Sequence, residues 1–214
     1  MADLIYINRS EAAYPPALHL YLADDAPVGL AIRGNVNLLR RHPLVALFCS
    51  VQCTESIIVQ TYELARALGA AGVTVVGGFH APMEKECLRL LLEGVASVIA
   101  CPARSLEQLR LSADWKKALI QDRLLFVSSF AGEQRRATTR RAVLRNELVA
   151  ALADVVLIAH AIPGGKIERL CERALSWGKP VLALENGENR RLLALGAQRV
   201  WIEHIRNGEA FLNY

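Results

Sequence analysis

Five arginines (Arg135, Arg136, Arg140, Arg141 and Arg145) fall within eleven residues, and no acid occurs between Glu133 and Glu147. A guanidinium is planar, permanently charged and forked, which suits it to phosphate oxygens and to the faces of bases. On a helix beginning near Thr138, Arg141 and Arg145 stand four residues apart and share a face. With Arg135 and Arg136 in the loop before it, the run predicts a phosphate-binding strip at the end of a strand. A merely solvated helix face usually mixes its signs, and this one does not.

Three other segments have the residue types for anion or nucleotide chemistry. In Phe48-Cys49-Ser50-Val51-Gln52-Cys53-Thr54 the hydroxyls and amide, Ser50 above all, can donate to a phosphate, although Thr54 reads first as an ordinary helix cap. No glycine fingerprint is present for a dinucleotide pyrophosphate. In Gly77-Gly78-Phe79-His80-Ala81-Pro82-Met83-Glu84 the paired glycines permit positive φ and close approach of a ligand. His80 can meet a phosphate or base and Glu84 a sugar hydroxyl; a plain turn is the competing reading. In His160-Ala161-Ile162-Pro163-Gly164-Gly165-Lys166-Ile167-Glu168 a Pro-Gly-Gly turn enters a helix, where free N–H groups and the helix dipole form an anion cradle and Lys166 adds charge. The spacing is not that of a P-loop. Hydrolytic and metal-binding signatures do not occur, Cys49 and Cys53 lack a local histidine, and neither metal nor cofactor is expected.

These segments need a scaffold that puts strand ends side by side. Continuous apolar runs predict strands at 44–50, 73–77, 96–101, 124–128, 155–160, 181–184 and 199–202, buried on both faces of a parallel sheet. Amphipathic stretches at 54–71, 83–94, 105–119, 138–153, 165–177 and 188–195 predict the intervening helices. The alternation implies a Rossmann-like, doubly wound α/β fold, mainly parallel, with helices on both faces and ligands beyond the carboxyl ends of the strands. Residues 1–43 are short pieces punctuated by Tyr14-Pro15-Pro16, Asp24-Asp25-Ala26-Pro27 and Arg33-Gly34-Asn35, read as an N-terminal extension packed on a core at 44–214.

Composition sets the outer bounds. With 53% hydrophobic and 21% charged residues among 214, the chain can bury a core and is not intrinsically disordered. No apolar run reaches the ~18 residues of a membrane helix, and Met-Ala-Asp-Leu-Ile-Tyr does not read as a signal peptide. Five cysteines, an odd number without a C-x-x-C pair, point to reduced thiols and a cytoplasmic protein. The net charge is only +4, yet 20 of the 25 basic residues are arginine.

In order along the chain, these and neighbouring segments resemble the DprA/Smf family of DNA-processing proteins. The lead-in is similar in Tyr14-Pro15-Pro16-x-Leu18, Asp24-x-Ala26-Pro27, Arg33-Gly34-Asn35 and Leu38-Leu39; later matches are Arg145-Asn146 before Leu148-Val149-Ala150, and Gly187-x-Asn189 before Gly196-Ala197. The resemblance implies a Rossmann-like domain that binds single-stranded DNA in a basic pocket, forms homodimers and loads a RecA-type recombinase. It supports Ser50, Gly78, Arg145, Asn146 and Gly164 as binding positions. The family's Gly-Ser-Arg stands here as Cys49-Ser50-Val51, its acidic strand end is His160, its Ser-Gly-Ser turn is reduced to Gly164-Gly165, and no winged-helix domain of the kind many members carry is expected.

A second likeness is to the LOG phosphoribohydrolases, whose Pro-Gly-Gly-x-Gly-Thr-x-x-Glu signature begins like Pro163-Gly164-Gly165-Lys166, but here Glu168 arrives too soon. The leading expectation is a non-enzymatic binder of single-stranded nucleic acid, with Phe79 and Phe130 as nearby aromatics and no membrane contact. The alternative is a site for a nucleotide-derived ligand or a LOG-like hydrolase of nucleoside monophosphates.

Overall fold

The computed structural model describes residues 3–107, 109–130, 132 and 137–211. In chain order the elements are β1 (Leu4–Asn8), α1 (Pro16–Leu22), β2 (Gly29–Gly34), β3 (Leu44–Cys49), α2 (Glu55–Ala71), β4 (Thr74–Gly77), α3 (Pro82–Glu93), β5 (Ser97–Ala100) and α4 (Ala113–Ile120). They continue with β6 (Leu124–Ser128), α5 (Thr139–Leu152), β7 (Val155–His160), α6 (Lys166–Ser176), β8 (Val181–Leu184), α7 (Arg190–Leu195), β9 (Gln198–Val200) and α8 (Ile202–Arg206). Among the described residues these strands form one nine-stranded sheet in the order β1-β2-β6-β5-β4-β3-β7-β8-β9. It is parallel from β6 to β9, with β1 and β2 added antiparallel at one edge. The chain winds outward from β3 to β6, then returns to the other side of β3 with β7, so the winding reverses between β3 and β7.

The apolar runs become central strands because both their faces are covered. Every residue of β3, β6 and β7 is buried. One face packs against α1, α5 and α6 through Leu18, Leu148 and Leu170; the other packs against α2 and α3 through Leu64, Leu68 and Leu91. Burying a leucine of this kind contributes roughly 1.5–3 kcal/mol, far more than helix propensity does, so the sheet rather than the local sequence holds these helices in place.

Two expectations are corrected. The first forty residues contain regular strands: β2 pairs with β6 in register, Ala31 opposite Ser128 and Arg33 opposite Phe126. Punctuating prolines and glycines hid five- and six-residue strands too short to show a clear period. The helix expected over 105–119 occupies only Ala113–Ile120, where the Ser112 hydroxyl caps it by accepting from the Trp115 N–H at 3.2 Å. Leu106 and Leu109 in the segment before it are buried as loop residues, and their apolar spacing imitated helical periodicity.

At the amino ends of the strands, Lys179 is buried and closes the end of α5, donating to the Ala151 carbonyl at 3.1 Å and to that of Ala153, with its ammonium 3.8 Å from the Tyr21 ring centroid. Burial lowers its pKa from 10.5 to about 8. Between those values the unfolded chain binds more protons than the folded one, so this group's contribution to stability rises across that window and is flat below it. Urea unfolding of wild type and Lys179→Met should therefore show a stability difference that shifts in favour of wild type as pH rises from about 8 to about 10.5; effects of the buried thiols cancel in the difference.

Candidate functional site

The carboxyl ends of β4, β5 and β6 open into a cleft of about 500 Å³. Its basic rim is formed by His80, Lys85 and Arg104, all exposed, and its wall by Phe79, Trp115 and Phe126. Lys85 and Arg104 make no ion pair with any described residue. The Arg104 backbone is held by the Ser128 hydroxyl, which donates to its carbonyl at 2.7 Å and accepts from the Phe130 N–H at 3.1 Å. Trp115 packs its ring 5.3 Å from that of Phe126 and remains half-buried, so one part of the indole borders the cleft. Phe79 and Phe130, the aromatics expected near a ligand, are buried, which leaves Trp115 as the more accessible aromatic there.

Arg145 occupies a different place from the one expected. It does not stand in a solvent-facing strip with Arg141; it is 4% exposed and reaches from α5 across the strand ends. Its Nη1 donates to the Cys101 carbonyl at 3.1 Å and its Nε to Asn146 Oδ1 at 2.8 Å. Burial lowers its pKa, and the charge of Glu84 opposes that shift. The reason Gly78 is glycine lies here: a Cβ on it would come within 1.8 Å of Arg145 Nη1. Gly77 is likewise a matter of space, since its Cβ would meet the Phe79 ring at 2.9 Å. The positive φ expected at the paired glycines falls instead on Phe79, at 46°.

Several other expected ligand groups are engaged within the protein. The Glu84 carboxylate accepts from the N–H groups of His80 at 2.8 Å and Ala81 at 3.0 Å, fixing the loop instead of waiting for a sugar. Ser50 stitches β3 to β7: its N–H donates to the His160 carbonyl at 2.9 Å and its hydroxyl accepts from the Ile162 N–H at 3.0 Å. Glu188, on the turn after β8, accepts from the Thr54 hydroxyl at 2.9 Å and lies 4.0 Å from the buried His160. The crevice between β3 and β7 is therefore crossed by the protein's own hydrogen bonds, and the open space lies over β4 to β6.

The Pro-Gly-Gly cradle holds a carboxylate of its own. Glu168 is buried and accepts from the Gly164 N–H at 2.9 Å and from Arg191 at 2.9 Å, while the Gly165 N–H donates to the Ile162 carbonyl at 2.9 Å. An anion at this turn would have to displace Glu168.

Of the remaining basic residues, Arg140 is exposed on the first turn of α5, Arg141 lies 6.0 Å from the Phe130 ring centroid, and Lys166 is exposed at the start of α6. Arg135 and Arg136 lie outside the described residues. Cys49 is buried and burial pushes its thiol far up; Cys53 is raised for the same reason, so neither is an activated nucleophile. Among the described residues no group of three or more His, Cys, Asp and Glu side chains is placed to hold a metal ion, and no helix is long and apolar enough to cross a membrane.

Lys85, Arg104 and Trp115 escaped the sequence reading. The end of β5 was hidden by the helix expected over 105–119, and Lys85 shares an amphipathic helix with Arg89, whose charge is paired with Glu86 and Glu93. Only the tertiary arrangement brings them to Gly78.

A family model for DNA recombination-mediator protein A matches residues 5–204. This chain belongs to that family. The match includes β1 and β2 together with the parallel sheet. The fold is shared with DNA processing protein A (DprA) of Streptococcus pneumoniae, at 23% identity over 92% of this chain and 71% of that one, with a TM-score of 0.76. It is shared equally with DprA of Helicobacter pylori, a protein with a described single-stranded DNA binding mode, at 24% identity over 97% of both chains and a TM-score of 0.76. A molybdenum cofactor carrier protein of Chlamydomonas reinhardtii is more distant, at 15% identity over 81% of this chain and all of that one, with a TM-score of 0.55. No curated protein sequence matches. The recombination-mediator assignment thus rests on the family model, and the solved structures establish the Rossmann-like α/β architecture.

The Gly78–Arg145 contact gives a test of the site's construction. Gly78→Ala should cost about 1–3 kcal/mol by forcing the guanidinium from its seat. In an Arg145→Ala background the same substitution should cost much less, and denaturant unfolding of the four proteins in a double-mutant cycle reads the coupling.

Proposed function

We propose that the strand-end cleft binds single-stranded nucleic acid, with Lys85 and Arg104 on phosphates and Trp115 against a base. The observation that carries this reading is the pairing, in one cleft, of cations without acidic partners and an accessible indole. Phosphate contacts give affinity without sequence preference, and stacking on an aromatic ring tolerates any base. Arg140 and Arg141 extend positive charge along the start of α5, and His80 borders the same opening. Arg135 and Arg136, which precede Arg140 in the sequence, are included in the proposal for their charge alone. Gly77, Gly78, Arg145 and Asn146 serve the site as its frame. Ser50, Gly164 and Gly165 hold adjoining turns together, and Lys166 adds charge beside them.

The family assignment and the DNA-binding H. pylori relative support this choice over a mononucleotide site. The inward-turned Glu168 weighs against a LOG-like hydrolase, which needs an acid presented to its substrate. In the same reading the protein acts in the cytoplasm, in keeping with five free thiols, assembles as a homodimer and delivers its strand to a RecA-type recombinase. Family membership supports the last two steps.

Fluorescence anisotropy with a labelled oligothymidylate tests the cleft. Lys85→Ala/Arg104→Ala should flatten the logarithmic salt dependence by about 1.4 and weaken binding about 25-fold at 0.1 M salt, since each single-strand phosphate contact contributes about 0.7 to the slope. An unchanged slope in a folded double variant overturns the assignment.

Mononucleotides should give little thermal stabilisation. Saturable stabilisation by one of them, with no oligonucleotide binding, would replace this reading with the small-ligand alternative.

A further inference from the structure

A second hollow lies on the other side of α5. The groove between α5 and α6 has a volume of about 300 Å³ and is lined by Val143, Asn146, Lys166, Arg169 and Leu170, with the Arg173–Glu147 ion pair at 3.1 Å also on its wall. Each of the two helices follows a strand of the parallel sheet, β6 or β7, so the groove opens at the same rim as the cleft. One side chain reaches a lining residue of each hollow: Arg145 lies against Gly78 of the cleft and donates to Asn146 of the groove at 2.8 Å. Arg173 is neutralised by Glu147, whereas Lys166 and Arg169 are exposed and make no ion pair with any described residue.

We propose that a single strand held in the cleft continues over the first turn of α5 into this groove, where Arg169 and Lys166 hold its phosphates above an apolar floor of Val143 and Leu170. The inference rests on the single-strand reading of the cleft and extends it to the strand's path. The chemistry selects a single strand over a duplex. The path must turn across the top of the sheet within the width of one helix, about 10 Å, whereas duplex DNA stays straight over about 500 Å. A flexible phosphodiester chain can make that turn.

The test compares hexathymidylate, short enough for the cleft, with a twenty-nucleotide thymidylate, using anisotropy across a salt series. Wild type should bind the longer strand more tightly and with the steeper salt slope. Arg169→Ala should reduce the slope for the longer strand by about 0.7 and its affinity about fivefold at 0.1 M salt, leaving the hexamer unchanged. Arg169→Lys, which keeps the charge, should retain the slope. Equal weakening of both lengths by Arg169→Ala, or no effect on the longer one, overturns the path while leaving the cleft in place. If wild type binds neither oligonucleotide, the single-strand reading of the cleft falls with it.

Discussion

A charged guanidinium sunk into the carboxyl end of a parallel sheet is the constraint around which the site is arranged. Burying such a group without partners is costly, so its donors must be met. Arg145 meets two acceptors from different parts of the fold, the Cys101 carbonyl after β5 and the amide of its neighbour Asn146. The guanidinium also claims the space where a side chain at residue 78 would stand. One long side chain thereby relates α5, β4 and β5, and the spacing of those elements sets the dimensions of the cleft. Arg145, which reads in the sequence as a phosphate contact, is tied into the frame of the cleft.

The same economy is seen in the acids. Glu84, Glu168 and Glu188 each occupy a donor that a ligand might otherwise use: the loop amides after β4, the turn after β7, and the hydroxyl before α2. Glu168 and Glu188 thereby help close the crevice between β3 and β7, where an open parallel sheet ordinarily receives its ligand, and Glu84 is engaged by its own loop, leaving Lys85 and Arg104 over β4 to β6 uncompensated. The modest net charge hides this division. Glu84 and Glu168 satisfy backbone donors, while Lys85 and Arg104 stay at the rim.

Most of the architecture could be read from the sequence because the parallel strands are buried on both faces. Runs such as Val155–His160 and Leu124–Ser128 leave a continuous apolar signature that no surface requirement interrupts. The edge strands were harder. β1 has mostly exposed or half-exposed residues and a length of five, so its pattern is carried by pairing with β2 and not by its own composition. The site was legible as a region but not as contacts. Gly78, His80 and Asn146 do lie along the two hollows, yet sequence cannot distinguish an arginine that faces solvent from one that turns inward. That choice is decided by whether a carbonyl such as that of Cys101 is within reach. Trp115 and Arg104 belong to the cleft only because buried loop residues between them bring the chain back over β5.

The antiparallel pair at the start of the chain has a consequence for how the protein can be divided. β2 lies along β6, satisfying the backbone groups on that side of a strand whose five residues are all buried. A fragment beginning at residue 44 would contain the whole parallel sheet, yet leave β6 as an apolar, unpaired edge. Such an edge is a template for adhesion to another chain. With β2 in place, the outermost strands among the described residues are β1, five residues long with Ile5, Tyr6 and Asn8 exposed, and β9, three residues long. The opening residues thus close the buried edge of β6 by backbone pairing, whatever else they contribute.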